Sequence, residues 1–326
     1  MIVILSHYTN ESGIWGGLLG QGAGQLGVML FFLLSAFLMA HLYFDSAPTA
    51  ENLKKFAVAR VARVIPLFLF VILVSFIVYQ LPLLGVQQYF YTIPDTASLV
   101  SHLLLLSGTS VLWSIPPEIY FYIVFACLWA GQIKFGRLIA IVPMGLLLLS
   151  FLIPPQKAPE ANLFGLYVKL PFLQVYPYFC AGFLLGWLYN HWKAPSFLLS
   201  HFFIVVLLAV PLLYPNVLIK LTGLTHGLWS DPRLLLAIAF IFFVIVFLVP
   251  QRNLLLENFI GDFLGKISYS MYLLHYPVLW LLKDLGFTQH AFGLFAFIAA
   301  TLLISTISYQ YLEVPARSWI KSRAGI

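Results

Sequence analysis

The sequence predicts an all-α fold, a polytopic integral-membrane helical bundle of about ten transmembrane helices with the first truncated. Three observations carry this expectation. Of 326 residues, 62% are hydrophobic and only 9% are charged, whereas soluble domains carry about 25% charged residues. The mean hydropathy is +0.97. The apolar residues also fall in runs near the ~20 residues that cross a ~30 Å hydrocarbon core as a helix, which leaves no length for a separate soluble domain.

The opening MIVILSHYTN has only five apolar residues before Ser6 and no positive n-region, so it is not a secretory signal peptide. It reads as the second half of a span over residues 1 to 8, and the missing half is expected upstream. Further spans are expected at 26 to 44, 61 to 82, 113 to 131, 136 to 153, 170 to 190, 196 to 214, 232 to 249, 267 to 283 and 291 to 312, with a short extra helix over 99 to 107. With the start of the first span facing the cytoplasm, 12 of the 17 Lys and Arg fall on inner loops and 5 on outer ones. The positive-inside rule favours that orientation and puts both termini in the cytoplasm. Outer loops such as 83 to 98 and 215 to 231 carry Tyr, Trp and Pro, suited to an interfacial belt.

The net charge of +6 comes from basic residues scattered singly or in pairs, not from one stripe, so no nucleic-acid partner is expected. Cys127 and Cys180 both lie in apolar runs, where they read as small hydrophobes. No Cys/His spacing suits a metal, and none is expected.

A charge at the bilayer centre costs at least ~2.5–3.5 kcal/mol, so ionisable residues inside spans are the first place to look for chemistry. Only one of the eleven acids, Glu118 in VLWSIPPEIYFYIVFACLWA, sits within an apolar run; Glu313 is expected just past the last span. The prolines before Glu118 break regular backbone, which suits a carboxylate aimed into a cavity. The plain alternative is a kinked helix whose Glu pairs with a nearby Arg or His. Among the histidines, His102 and His201 read as satisfied structural residues, and His41, His191, His226 and His290 lie near span ends or in loops. His7 ends an apolar run before a glycine-rich loop, and His275 lies mid-span in KISYSMYLLHYPVLWLL.

His7 and Glu118 both fall toward the outer ends of their spans. An imidazole held by a carboxylate can take the proton of a hydroxyl as it attacks, and the carboxylate stabilises the imidazolium that forms. On these residues alone, a His/Glu proton relay in a transporter explains the pair as well. In NLKKFAVARVARVIPL, Arg60 and Arg63 share a helix face near a helix start, with Lys54 and Lys55 one and two turns earlier. This set suits the phosphates of an anionic cytoplasmic molecule, and equally suits anchoring to anionic lipid.

Several segments together resemble the membrane-bound acyltransferase 3 family. LGVMLFFLLSAFL is similar to its second-span Gly-Val-x-Leu-Phe-Phe-x-Leu-Ser-Gly-Phe signature, and FAVARVARVIPLF to its Arg-x-x-Arg-x-x-Pro segment. VLWSIPPEIYFY is similar to its Trp-Ser-Leu-x-x-Glu-x-x-Phe-Tyr segment. FLGKISYSMYLLHYPV resembles its Gly-x-x-Ser-Tyr-x-x-Tyr-Leu-x-His-x-Pro-Val block, and ISYQYLEVPAR its closing Ser-Tyr-x-x-x-Glu-x-Pro-x-Arg. The matches come in family order.

The resemblance implies a single membrane acyltransferase domain with a cytoplasmic acyl-CoA donor, most often acetyl-CoA, and a hydroxyl acceptor on a carbohydrate or glycolipid at the outer face. It assigns catalysis to His7, with Glu118 matching the motif glutamate, and donor handling to Arg60 and Arg63. The matched segments contribute Ser35, Trp113, Ser114, Tyr122, Ser268, Tyr269 and His275 as candidates for supporting the substrate or the site. Where the family has Ser-Gly in the second span, this chain has Ser35-Ala36, a change expected to tighten packing while keeping the hydroxyl. The bacterial cytoplasmic membrane is the expected location, with membrane lipid and glycan-assembly enzymes as partners. The competing classes are a proton-coupled transporter or permease and a noncatalytic scaffold.

Overall fold

The structure, a computed structural model, describes residues 1–20, 22–81, 85–157, 159–250, 252–290 and 292–326. Residues 83 and 84 of the expected outer loop lie outside the described residues. In chain order the helices are α1 (Ile2–Ser12), α2 (Ala23–Met39), α3 (Ala50–Tyr79), α4 (Thr96–Leu103), α5 (Ile115–Phe135), α6 (Ile141–Leu152), α7 (Phe172–His191), α8 (Ala209–Leu212), α9 (Pro215–Thr222), α10 (Pro232–Phe243), α11 (Phe259–Asp284), α12 (Gly293–Ser308) and α13 (Val314–Arg323). A single antiparallel hairpin, β1 (Ala161–Leu163) with β2 (Leu166–Val168), interrupts the helical order among the described residues. It turns on Phe164 and Gly165, both at positive φ.

Four helical stretches among the described residues are long and apolar enough to cross a membrane: Ala23–Phe44, Ala50–Tyr79, Ser110–Leu152 and Gly293–Arg323. A fifth arises if His201–Leu212 and Pro215–Thr222, bent by 89°, count as one. Large apolar side chains such as Ile133, Leu138, Leu152 and Phe202 stand between 70% and 81% exposed along these segments, a surface suited to lipid contact and not to water. The chain is an integral membrane protein with several spans.

The expected spans meet the structure with four differences. The expected helix start near Arg60 is displaced, because α3 already begins at Ala50; the intervening Glu, Asn, Leu and Lys residues include no breaker. The runs 113 to 131 and 136 to 153 form one helical stretch, interrupted where Gly136 takes φ +55. The run 196 to 214 is not a regular span: His201–Leu208 winds as a 3-10 helix before the four residues of α8, and β-branched and aromatic residues there weaken α-helix propensity. The last span does not stop at 312, since a π turn at Tyr309–Glu313 carries α12 directly into α13.

The chain divides into two compact units. The first comprises residues 1–49, 120–157 and 172–261. Its centre is α2 against α7, joined at closest range by two glycines one helical turn apart. A Cβ on Gly182 would stand 2.1 Å from the Leu33 carbonyl oxygen, and one on Gly186 would stand 2.3 Å from that of Phe37. Backbones meet at this distance only where side chains are absent, the small-xxx-small device of membrane helices. Ala36, the residue replacing the family's glycine, is fully buried against Gly182. Around this seam Phe179 stacks on Phe121 at 4.3 Å and meets Phe32 at a tilt, at 4.6 Å.

The second unit comprises residues 50–119, 158–171 and 262–326. Here α13 packs along α3, α3 meets α4, and α4 meets β2. The hairpin is tied down by Tyr167 N, which donates to Ser101 Oγ at 2.9 Å, and by Lys169 N, which donates to the Leu106 carbonyl at 2.7 Å. Tyr91 and Tyr269 anchor α11 through hydroxyls donated at 2.8 Å to the carbonyls of Leu273 and Val64.

Candidate active site

His7 belongs to the first unit. It sits on the second turn of α1, which packs against α2. Ser6 beside it accepts a hydrogen bond from Gly24 N at 2.9 Å, and a Cβ on Gly24 would come within 3.6 Å of His7 Nε2. The α2 N-terminus thus approaches α1 through a glycine, and the imidazole edge lies against that first turn. Glu11, one turn further along α1, is within Coulombic range of His7. Ser35 lies in the C-terminal half of α2 and is 9% exposed. Tyr122, buried in α5, also belongs to this unit.

Glu118 belongs to the second unit and is 2% exposed. The prolines at 116 and 117 occupy the first turn of α5, where missing amide hydrogens cost nothing. The carboxylate in the same turn is favoured by the positive end of the helix dipole. Just upstream, Ser114 Oγ and Tyr272 Oη share a hydrogen bond of 2.8 Å, and both also point at the Val111 carbonyl, at 3.2 and 3.0 Å. Ser114 and Tyr272 therefore lock the strained entry to α5, where Ser110 holds φ +48, onto α11. Trp113 lies in the same turn, half-buried.

Tyr269 is where the candidate residues of this unit converge. It lies within Coulombic range of Glu118, Arg63, Glu313 and Tyr272. The motif glutamate and one of the paired arginines therefore share one neighbourhood, centred on α11. Arg63 is exposed, while Arg60 is half-buried with its guanidinium 5.8 Å from the Phe56 ring. Lys54 and Lys55 are exposed, and Lys55 is engaged with Glu51 at 2.6 Å, so Lys55 reads as a solvated helix-face pair worth little.

Ser268 turns back to the Gly265 carbonyl at 2.8 Å and is exposed. His275 is fully buried, and its Nδ1 lies 2.8 Å from the Tyr272 carbonyl and 3.1 Å from that of Met271. His102 is the satisfied structural histidine that the sequence suggests: Nδ1 meets the Ser98 carbonyl at 2.7 Å, and Nε2 accepts from Thr109 N at 3.1 Å. Burial holds its imidazole below the ordinary histidine range.

One reading of the sequence is overturned. Glu313 does not lie past the last span, since the helical stretch Gly293–Arg323 runs on through it; it is 3% exposed, and Ser270 Oγ donates to its Oε1. A π turn at Tyr309–Glu313, of the kind that adds a residue to a helical turn, carries the helix through this position. Tyr272 and Glu313 were thus missed as candidates, although both stand at named positions of the quoted motifs.

One family profile, described as an acyltransferase domain, matches residues 1–310. The chain belongs to the acyltransferase 3 family. No curated protein and no solved structure matches it. The match covers residues of both compact units of this membrane acyltransferase, and family membership implies transfer of an acyl group from an acyl donor. Within the acyltransferase, the Trp113–Glu118 turn and the Ser268–His275 turns of α11 hold the polar groups assembled around Tyr269.

Proposed function

We propose that the protein transfers an acyl group, most simply acetyl, from cytoplasmic acyl-CoA to a hydroxyl of a glycan or glycolipid at the outer face of the membrane. In this reading ten segments cross the bacterial cytoplasmic membrane, the first in part, and both termini are cytoplasmic. Glycan-assembly enzymes supply the acceptor. The observation that carries the reading is a carboxylate 2% exposed in an apolar protein, grouped with a guanidinium around Tyr269, in a chain of an acyltransferase family.

His7 is the base and Glu118 orients it. His7 removes the acceptor hydroxyl proton as the oxygen attacks the thioester carbonyl. A C–O bond forms, the C–S bond breaks, and the proton passes to the departing thiolate, so that free coenzyme A and an ester result. Arg60 and Arg63 hold the donor phosphates, with Lys54 adding charge at the rim. Ser35, Ser114, Tyr122 and His275 support the substrate or the site.

Release of free thiol from acetyl-CoA by the purified protein, dependent on an added hydroxyl acceptor, tests the activity. Proton flux without thiol release would overturn it in favour of a transporter. For the donor site, Arg60→Glu or Arg63→Glu is expected to weaken coenzyme A binding about tenfold or more, with acceptor affinity unchanged. Lysine at either position should restore only part, because it lacks the planar fork. Calorimetric titration reads the change, and indifference to both reversals would return these arginines to lipid anchoring.

A further inference from the structure

We propose that Arg317 is a further donor-phosphate ligand, held beside Arg63 by the buried carboxylate of Glu313. This rests on the reading that Arg60 and Arg63 hold the phosphates of acyl-CoA.

Glu313 and Arg317 are four residues apart where the π turn passes into α13, so they lie one above the other on the same helix face. That helix packs along α3, which carries Arg63. Both Arg63 and Arg317 fall within Coulombic range of Glu313. The carboxylate itself is fixed from a third helix by Ser270 Oγ. The buried carboxylate thus feels guanidinium groups from two packed helices.

The donors are arranged accordingly. Arg317 Nε is buried and has no hydrogen-bond partner among the described residues. Its guanidinium is 5.9 Å from the ring of Tyr309, on the π turn, which restrains the side chain. A buried guanidinium N–H without an acceptor is costly, and an oxyanion supplies the acceptor. Arg63, in contrast, is exposed. A phosphate ester reaching Arg63 from the open side would meet both forks while Glu313 keeps them from splaying apart. Arginine suits this task because its fork matches phosphate oxygens two at a time.

A phosphate ester can come from coenzyme A or from an anionic lipid headgroup, and the proposal commits to coenzyme A. The test compares acetyl-CoA with S-acetylpantetheine, which keeps the thioester and lacks the nucleotide phosphates, in nanodiscs of phosphatidylcholine alone. Arg317→Ala is expected to raise the KM for acetyl-CoA about tenfold or more and to leave kcat and the KM for S-acetylpantetheine unchanged. Arg317→Lys should recover part of the loss. Glu313→Gln, which acts through the arginines, should lower the same preference for acetyl-CoA.

Equal losses on both donors would make Arg317 a structural residue and overturn the proposal. So would an effect that appears only when phosphatidylglycerol is added, which would make the cluster a headgroup site. If Arg63→Ala lowers the preference for acetyl-CoA and Arg317→Ala does not, this inference alone falls. If wild-type protein shows no preference between the two donors, the donor reading falls with it.

Discussion

Replacing His7 by Ala or Gln is expected to cut acyl transfer by about 10²–10⁴-fold, the usual loss when a general base is removed, with coenzyme A binding and membrane insertion unchanged. Gly24 N bonds Ser6 Oγ, Ile4 and Tyr8 of α1 are buried, and Gly27 of α2 closely approaches Val3. Thiol release from acetyl-CoA in the presence of acceptor measures the loss, and titration of coenzyme A checks that donor binding survives. Activity above about one hundredth of wild type, the low end of the general-base range, would sink the assignment. Glu118→Gln keeps the shape of the side chain and removes its charge. If Glu118 acts by orienting His7, the double variant should be little worse than His7→Ala alone, because residues that act as a unit are not additive. Additive losses would separate the two residues.

The second large effect is expected at the α2–α7 seam. Gly182→Leu should prevent accumulation of folded protein, and Gly182→Ala should lower the unfolding temperature of the detergent-solubilised protein. A Cβ there would overlap the Leu33 carbonyl oxygen, at 2.1 Å, and backbone cannot rotate away as a long side chain can. Overpacking typically costs about 1–3 kcal/mol, and each kcal/mol lowers the unfolding temperature by about 2–4 °C in chains of roughly 150–250 residues. Gly145→Ala on α6 is the control, since nothing lies within 4 Å of its added Cβ. An equal shift in the two alanine variants would show that the contact between Gly182 and Leu33 does not set the stability of this unit.

The candidate residues were legible because their signals are local. Glu118 stood out as the only acid within an apolar run, and the cost of a buried charge made it a candidate without any knowledge of its neighbours. The motif turns around Ser114 and Tyr269 were equally plain. Glu313 was hidden for the same reason that Glu118 was visible. It follows the last apolar run and precedes Pro315, a pattern that reads as a solvated helix end. Only the π turn and the packing of α13 on α3 bury it. Lys55, in contrast, is exposed and engaged with Glu51 on its own helix.

The sequence by itself determined that this is a membrane acyltransferase and where most of its helices run, because hydropathy and motif spacing are properties of short stretches of chain. It also singled out Arg63 and Glu118 one at a time. The tertiary structure decided that both lie within Coulombic range of Tyr269, that Tyr272 locks Ser114, and that Glu313 is buried and bonded by Ser270. These relations join residues far apart in the chain, and they depend on helix rotation and approach. A π turn adding one residue, or a glycine admitting a carbonyl, alters both without a mark in the pattern of apolar runs.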